Sequence, residues 1–419
     1  MRRIASALLT VALLACSSDP PTSPPAPAPT RSTASRETEP RIEPAEREAF
    51  VAGEAAFAAD VFHAVVQDAN DQNLFVSPHG IWSAFAMLYA GARGETAAQI
   101  RRVLHYDLPD DRLHAAFDAT NLVLDRRDDL HVANAVFALT GYPFEQPYVD
   151  TLARWYGATP TSLPFATAPE DARNSINAWA AEQTSQRILE VLPAGAVGTN
   201  TRLVLANAVY LDATWETPFT KNLTQPAAFT DLDGRRSTVQ MMHGAEQRAR
   251  HLRAEDYEAV ALPYRGGSME MLVVVPDLGK FREVRDRLTG AELAALPERL
   301  QDERLIVSMP KFQAAKGTSL AKPLASLGLT LPFEAGADFR GIATGEGLRV
   351  DDATHVAWVS VDEEGTEAAA VTTVSVGGPT GGIGGPLHVD VDRSFLAAVV
   401  ERQTGAILFF GQILAPDPS

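Results

Sequence analysis

Few residues in this 419-residue chain have the types and spacing that chemistry needs. No HExxH zinc helix, CxxC pair, P-loop, dinucleotide glycine fingerprint or GxSxG nucleophile elbow occurs. The nine histidines are scattered, and each reads more simply as a surface or satisfied core residue than as a ligand. The glycines from Gly377 to Gly385 come with no lysine and precede no helical pattern, which makes them a poor phosphate cradle. The single cysteine, Cys16, sits in the run MRRIASALLTVALLAC, where it excludes an intrachain disulfide by arithmetic. No metal or other cofactor is expected, and the enzyme reading is weak. What stands out is VDEEGTEAAAVTTVSVGGPTGGIGGPLHVDV, beginning at Val361. Its first half consists largely of small residues and threonines able to form a strand, and its glycine- and proline-rich second half suits an exposed loop.

The elements around this junction must explain it. With 46% hydrophobic residues the composition is globular, and the length allows one large domain or two ordinary ones. Lys and Arg number 36 against 53 Asp and Glu, a net charge of −17, so nucleic acid and acidic lipid headgroups are disfavoured as main partners. The apolar run from Ile4 to Leu14 follows two arginines and is too short to span a bilayer, which is the layout of a secretory signal. Its LLAC end resembles a bacterial lipobox. That resemblance implies a signal peptide over 1–15, cleavage before Cys16 and a lipid on its thiol and new amino group; the alternative is an ordinary signal peptide with Cys16 incidental. Residues 16–46 then form a lipidated cysteine and a tether. Between Asp19 and Glu46 the tether is rich in proline and nearly free of large apolar residues, so it reads as a disordered, semi-stiff spacer.

From residue 47 onward the pattern is that of one large α+β domain. Apolar residues recur at helical spacing in AFVAGEAAFAADVFHAVVQ and in SPHGIWSAFAMLYAGARG, where Ser77 and Pro78 mark a helix start. GETAAQIRRVLHY adds a third helix. LVLANAVYL, AVALPYRGGSMEMLVVVPD, RLIVSMPKF and HVAWVSVDEE read as strands, and FLAAVVERQTGAILFFGQIL as a closing hairpin turning at Thr404 and Gly405.

Taken together, NLFVSPHGIWSAFAMLYAGARGETAAQI, LVLANAVYLDATWETPF, YEAVALPYRGGSMEMLVVVPD, VSVDEEGTEAAAVT and FLAAVVERQTGAILFFGQI resemble the serpins, in the family's order and over Phe50 to Leu414. The resemblance implies helices around three β-sheets and an exposed reactive loop between Glu363 and the strand near Val391. In inhibitory serpins a protease cuts this loop as an acyl-enzyme, and the loop inserts as a new central strand, dragging the protease with it. The hinge would comprise Glu363, Glu364, Gly365, Thr366, Glu367, Ala368, Ala369, Ala370 and Thr372. Its alternate set Thr366, Ala368, Ala370, Thr372 and Val374 is small or β-branched and suits the core face, while Glu367 points outward. Gly365 supplies backbone freedom, and no proline interrupts Thr366 to Val376. About twelve residues at ~3.3 Å reach ~40 Å, enough to carry a protease along such a domain. Hydrogen bonds at a net ~1 kcal/mol each roughly cancel the ordering cost, so side-chain burial and release of native strain must drive insertion.

Counting by family spacing from the hinge lands on Pro379, while counting back from Val391 lands near Ile383. Pro379 is a poor scissile residue, which leaves Val376, Thr380 and Ile383, all suited to elastase-like or subtilisin-like pockets rather than to trypsin-like ones. Ser77, Asn207 and His355 match the polar cluster that closes the sheet, and Trp215 the tryptophan where insertion begins. Gly80 replaces the family's second serine in that cluster, which implies weaker closure. Asn207 and His355 could equally be an ordinary buried polar pair, and Trp215 a core residue. The expected function is suicide inhibition of a serine protease, or a cysteine protease, by a monomer anchored in the bacterial cell envelope through Cys16. The serines after Cys16 point to the outer membrane or cell surface rather than the inner membrane. No polyanion cofactor is expected. The alternative is a non-inhibitory serpin that binds a surface ligand or partner.

Overall fold

A computed structural model of the chain describes residues 31–68, 71–344, 347–366 and 385–416. Helices come first, as the apolar spacing requires: α1 (Pro44–Asp68), α2 (Pro78–Tyr89), α3 (Gly94–Val103) and α4 (Asp110–Leu124). Ser77 is the N-cap of α2, its Oγ accepting from the Gly80 N–H at 3.2 Å, and Pro78 opens the first turn. Two further helices, α5 (Gln146–Tyr156) and α6 (Pro169–Gln183), flank the first sheet, and α7 (Phe281–Arg287), α8 (Gly290–Arg299) and α9 (Ala321–Ser326) follow later.

The first sheet has seven strands: β2 (Leu130–Leu139), β3 (Thr161–Leu163), β4 (Leu203–Leu211), β5 (Ala213–Thr214), β12 (Phe312–Ser319), β13 (Asp352–Val361) and β14 (Gly365–Thr366). The second has ten: β1 (Leu74–Val76), β6 (Gln225–Thr230), β7 (Arg236–His243), β8 (Gln247–Arg253), β9 (Tyr257–Pro263), β10 (Met269–Pro276), β11 (Gln301–Pro310), β15 (Leu387–Asp390), β16 (Phe395–Glu401) and β17 (Ile407–Ile413). Where three sheets are expected, pairing joins the strands of the described residues into two. The cause is β11, whose residues 301–305 pair with β8 and whose residues 308–310 pair with β7, so one long strand serves both groups.

The hairpins fall where the turn chemistry puts them. Gly266 and Gly267, both at positive φ, join β9 to β10, and Gly405 at φ +79° lies in the β16–β17 turn. The core fills the space between the helices and the two sheets, with Phe57, Phe62, Trp82, Phe85 and Phe117 fully buried on the helical side.

The chain ahead of α1 is also placed. Residues 31–37 run along α5, with Asp150 accepting from Ser32 Oγ (2.9 Å), Thr33 N (2.8 Å), Thr33 Oγ1 (3.1 Å) and Ala34 N (3.3 Å). The Thr33 N–H, joined by the Ser32 hydroxyl and the Gln146 amide, holds the Asp150 carboxyl at about 2. Arg36 Nη1 then reaches 2.5 Å from Asp118 of α4, whose side chain is fully buried. The described part of the expected tether is therefore a docked strap. Polar anchors hold residues 31–37, and Ile42 packs against the core ahead of α1.

Candidate functional site

The first sheet contains an incomplete seam. β4 and β13 run parallel and pair from Val204/Asp352 to Val209/Ala357, with His355 opposite Asn207. Above Ala357 they part, and the two residues of β14 fill the top of the opening. Thr366 pairs antiparallel with Val361 of β13 and with Ala213 of β5. Two residues of the expected hinge, Gly365 and Thr366, thus already occupy the place of a central strand.

The local chain explains why β14 folds back here. Asp362 Oδ1 accepts from the N–H groups of Glu364 (2.8 Å) and Gly365 (3.2 Å), and the Asp362 N–H donates to the Gly365 carbonyl at 2.9 Å. Gly365 is required by close approach rather than by freedom of φ, because a Cβ there would lie 2.0 Å from the Ala213 carbonyl oxygen. Thr366 is wholly buried, its Oγ1 2.5 Å from the Tyr264 hydroxyl. Tyr264 in turn stacks on Trp215 with ring centroids 4.5 Å apart and planes 10° from parallel. Trp215 Nε1 donates to the Asp362 carbonyl at 3.0 Å, and its backbone N–H donates to that of Glu364 at 2.8 Å.

Glu363 and Glu364 are held by separate cations. The Glu363 carboxylate takes Lys311 Nζ at 2.7 Å and the Thr224 hydroxyl at 2.6 Å. Burial pushes its pKa up, but these two donors outweigh burial and hold it below the ordinary carboxylate range. Glu364 pairs with Lys221 at 2.5 Å.

Lower in the seam, three polar side chains form one row. Asn134 of β2, Asn207 of β4 and His355 of β13 are register neighbours across the three strands. The Ser77 N–H donates to His355 Nε2 at 2.9 Å, so the proton of the ring lies on Nδ1, which donates to Asn207 Oδ1 at 2.9 Å. Asn207 Nδ2 donates onward to Asn134 Oδ1 at 2.8 Å. Complete burial drives the His355 pKa down to about 3, which agrees with that neutral tautomer. Gly80 belongs to the same cluster: its Cα faces Asn207, and an ideal Cβ would stand 2.5 Å from the amide. The row thus closes the lower seam with hydrogen bonds between strands, and α2 presses on it from behind.

The sequence-expected residues Ser77, Asn207 and His355 therefore meet in one cluster, while Trp215 meets Glu363, Glu364, Gly365 and Thr366 in another. Glu367, Ala368, Ala369, Ala370, Thr372, Val376, Thr380, Ile383 and Cys16 lie outside the described residues. Sequence reasoning missed Lys311, Thr224, Lys221, Tyr264 and Asn134. Asn134 carries a faint signal in the echo of VANAVF and LANAVY on the two paired strands; the others reach the hinge from connections between strands, far from it in sequence, and leave no local pattern.

Comparison with known proteins gives the same frame. Residues 52–416 match the family "Serpin (serine protease inhibitor)". A leukocyte elastase inhibitor from Bos taurus is 31% identical over 380 residues, covering 88% of this chain and all of that protein. Serpin B3 of Homo sapiens is 30% identical over 384 residues, covering 86% and 97%. The native structure of the thermophilic serpin Tengpin superposes with a TM-score of 0.80 at 26% identity, covering 91% of this chain and 97% of that one. Over nearly its whole folded length, this chain belongs to the serpin family.

Proposed function

We propose that the chain is a suicide inhibitor of serine proteases with elastase-like or subtilisin-like specificity. The observation that carries the reading is the antiparallel register of Gly365 and Thr366 at the mouth of the seam. Continuing it places each later loop residue opposite one residue of β13, and brings Ser375 level with Asp352 at the lower end. Between Thr366 and Ser375 the hinge has no proline and carries its one charge, Glu367, on the outward set.

The chemistry belongs to the protease. Its serine Oγ attacks the carbonyl carbon of the scissile bond, the C–N bond breaks, and the serine's proton passes through the protease's base to the leaving amine. The new ester joins the protease to the loop's amino-terminal half. That half inserts along the seam and pulls the protease with it; distortion of the oxyanion hole then stalls attack by water. Similarity to a leukocyte elastase inhibitor and the lack of Lys or Arg in the loop before Arg393 both favour a small or aliphatic residue at the cut. Cleavage before Cys16 and lipidation there would hold the inhibitor on the bacterial envelope, facing outward.

The test mixes protein lacking residues 1–15 with pancreatic-type elastase or subtilisin. An SDS-resistant complex, cut after Val376, Thr380 or Ile383 by mass spectrometry, is the expected result. Complete cleavage with no complex and no rise in Tm would overturn the reading.

A further inference from the structure

The strap and the seam together fix an orientation. The seam opens at the level of Leu211, Ala213 and Val361 and closes at the level of Leu203 and Asp352. β2 runs between these levels, from Leu130 opposite Leu211 to Ala138 opposite Leu203. After a connection of six residues (140–145) from the lower end of β2, α5 begins at Gln146, and after α5 the chain returns to pair Thr161–Leu163 with Phe137–Leu139, the lower end of β2. Gln146 Nε2 donates to the Arg31 carbonyl at 3.0 Å, and from there the strap climbs α5 past Asp150 to the Arg154 carbonyl, which accepts from Glu37 N at 2.9 Å. Chain ahead of Arg31 therefore departs at the lower pole, opposite the mouth of the seam.

We infer that the anchored end of the chain and the final seat of a trapped protease share this lower pole, so that the stretch between Cys16 and Arg31 sets the room for the protease against the membrane. The inference rests on the inhibitory reading above. An inserted loop brings Ser375 to the level of Asp352, and a protease esterified at Val376 would be the next residue beyond it. The reactive loop starts at the far pole, where a protease in solution reaches it freely. Trapping then carries the protease toward the lipid surface. The 14 residues 17–30 include six prolines; at ~3.1 Å per residue a chain of this composition would reach ~43 Å. A protease of about 230 residues is ~45 Å across by the scaling of compact domains. The two lengths match, whereas a spacer that only had to clear the inhibitor's own base would need no such reach.

The single thiol allows a direct test that does not depend on lipidation in the cell. Protein from Ala15 to Ser419, and a variant lacking residues 20–29, are coupled through Cys16 to maleimide-headgroup lipid in phosphatidylcholine vesicles carrying an acceptor dye. Dye-labelled elastase or subtilisin, whichever is trapped in solution, is added. Both proteins should trap equally when free. On vesicles the parent should keep its ratio of complex to cleaved inhibitor, while the deletion, left with ~12 Å of spacer, should be cleaved at the same rate but lose complex at least fivefold. Energy transfer to the lipid should be stronger in the covalent complex than in the encounter with a protease lacking its serine nucleophile. Equal trapping by both proteins on vesicles, or weaker transfer in the complex, would overturn the shared pole while leaving the inhibitor reading intact. Absence of any complex in solution would overturn both.

Discussion

Gly80 and Asn207 are in such close contact that any side chain at position 80 would collide with the amide, an ideal Cβ standing 2.5 Å from both Nδ2 and Oδ1. Asn207 cannot swing aside cheaply, because His355 and Asn134 hold its two ends. The glycine was expected to weaken closure by removing a serine; in this packing it makes room for the row of amides and imidazole that closes the seam. Gly80→Ser should therefore destabilise, by about 1–3 kcal/mol as overpacking does, despite a small gain in helix propensity. Thermal melting would show a lowered Tm together with faster spontaneous loss of inhibitory activity on storage. An unchanged Tm would mean that Asn207 has another resting place.

Acid should loosen the same row. His355 is neutral when folded, with its pKa depressed to about 3 by burial, against an ordinary value near 6.5. The unfolded or opened chain therefore binds a proton that the closed one refuses. Stability should fall as pH drops below about 6.5, by up to ~1.4 kcal/mol per unit, until the folded pKa is reached. Glu363 adds to this lower down: its pKa is depressed, so its contribution is present above the unfolded value and is lost as pH falls through the folded one. Melting profiles of the parent and of His355→Gln between pH 4 and 8 separate the two, since the variant should lose the His355 share of the slope between 6.5 and 5 and keep that of His114, whose pKa burial lowers to about 4.

The strap should count as part of the domain. Asp118 has no exposed side-chain surface; Arg36 pairs with it at 2.5 Å, and its buried carboxylate oxygens have no further hydrogen-bond partner among the described residues. Burial pushes the Asp118 pKa up to about 6 even with Arg36 beside it. Arg36→Ala would leave a buried carboxylate unpaired, at about 3 kcal/mol, the low end for breaking a buried pair. Because Asp118 can then take up a proton, the loss should be large at pH 7.5 and shrink at pH 5. A loss independent of pH would instead assign Arg36 a packing role.

The sequence made the local elements legible and the distant pairings illegible. Ser77 and Pro78 announce α2, alternation announces β13, and Gly266 with Gly267 announces the turn of the β9–β10 hairpin, because in each case the cause lies within a few residues. The Trp215–Tyr264 stack, the Lys311–Glu363 pair and the Arg36–Asp118 contact join residues from 49 to 82 positions apart, and no period in the chain encodes them. The docked strap was hidden for a related reason. A proline-rich, apolar-poor segment reads as a spacer, and only the partner groups on α4 and α5 reveal that residues 31–37 are tied down.

Insertion itself is tested at Thr366. Its side chain is fully buried between β13 and β5, with Oγ1 against the Tyr264 hydroxyl. An arginine there would have to bury a charge among acids already engaged: Glu363 and Glu364 hold Lys311 and Lys221, and Asp362 accepts from the Glu364 and Gly365 N–H groups. Thr366→Arg should leave the native fold intact by freeing the two residues of β14 from the seam, and should leave the loop open to cutting. What it removes is the first step of strand addition, so each cut would release product before the protease moves. Gel assay should show the covalent complex reduced at least tenfold, with cleavage of the loop undiminished and no rise in Tm after cutting. Thr366→Ser, which keeps both the small volume and the hydroxyl on Tyr264, should trap as the parent does. If the arginine variant still forms complex in normal yield, the two-residue register seen at the mouth of the seam is not where insertion starts.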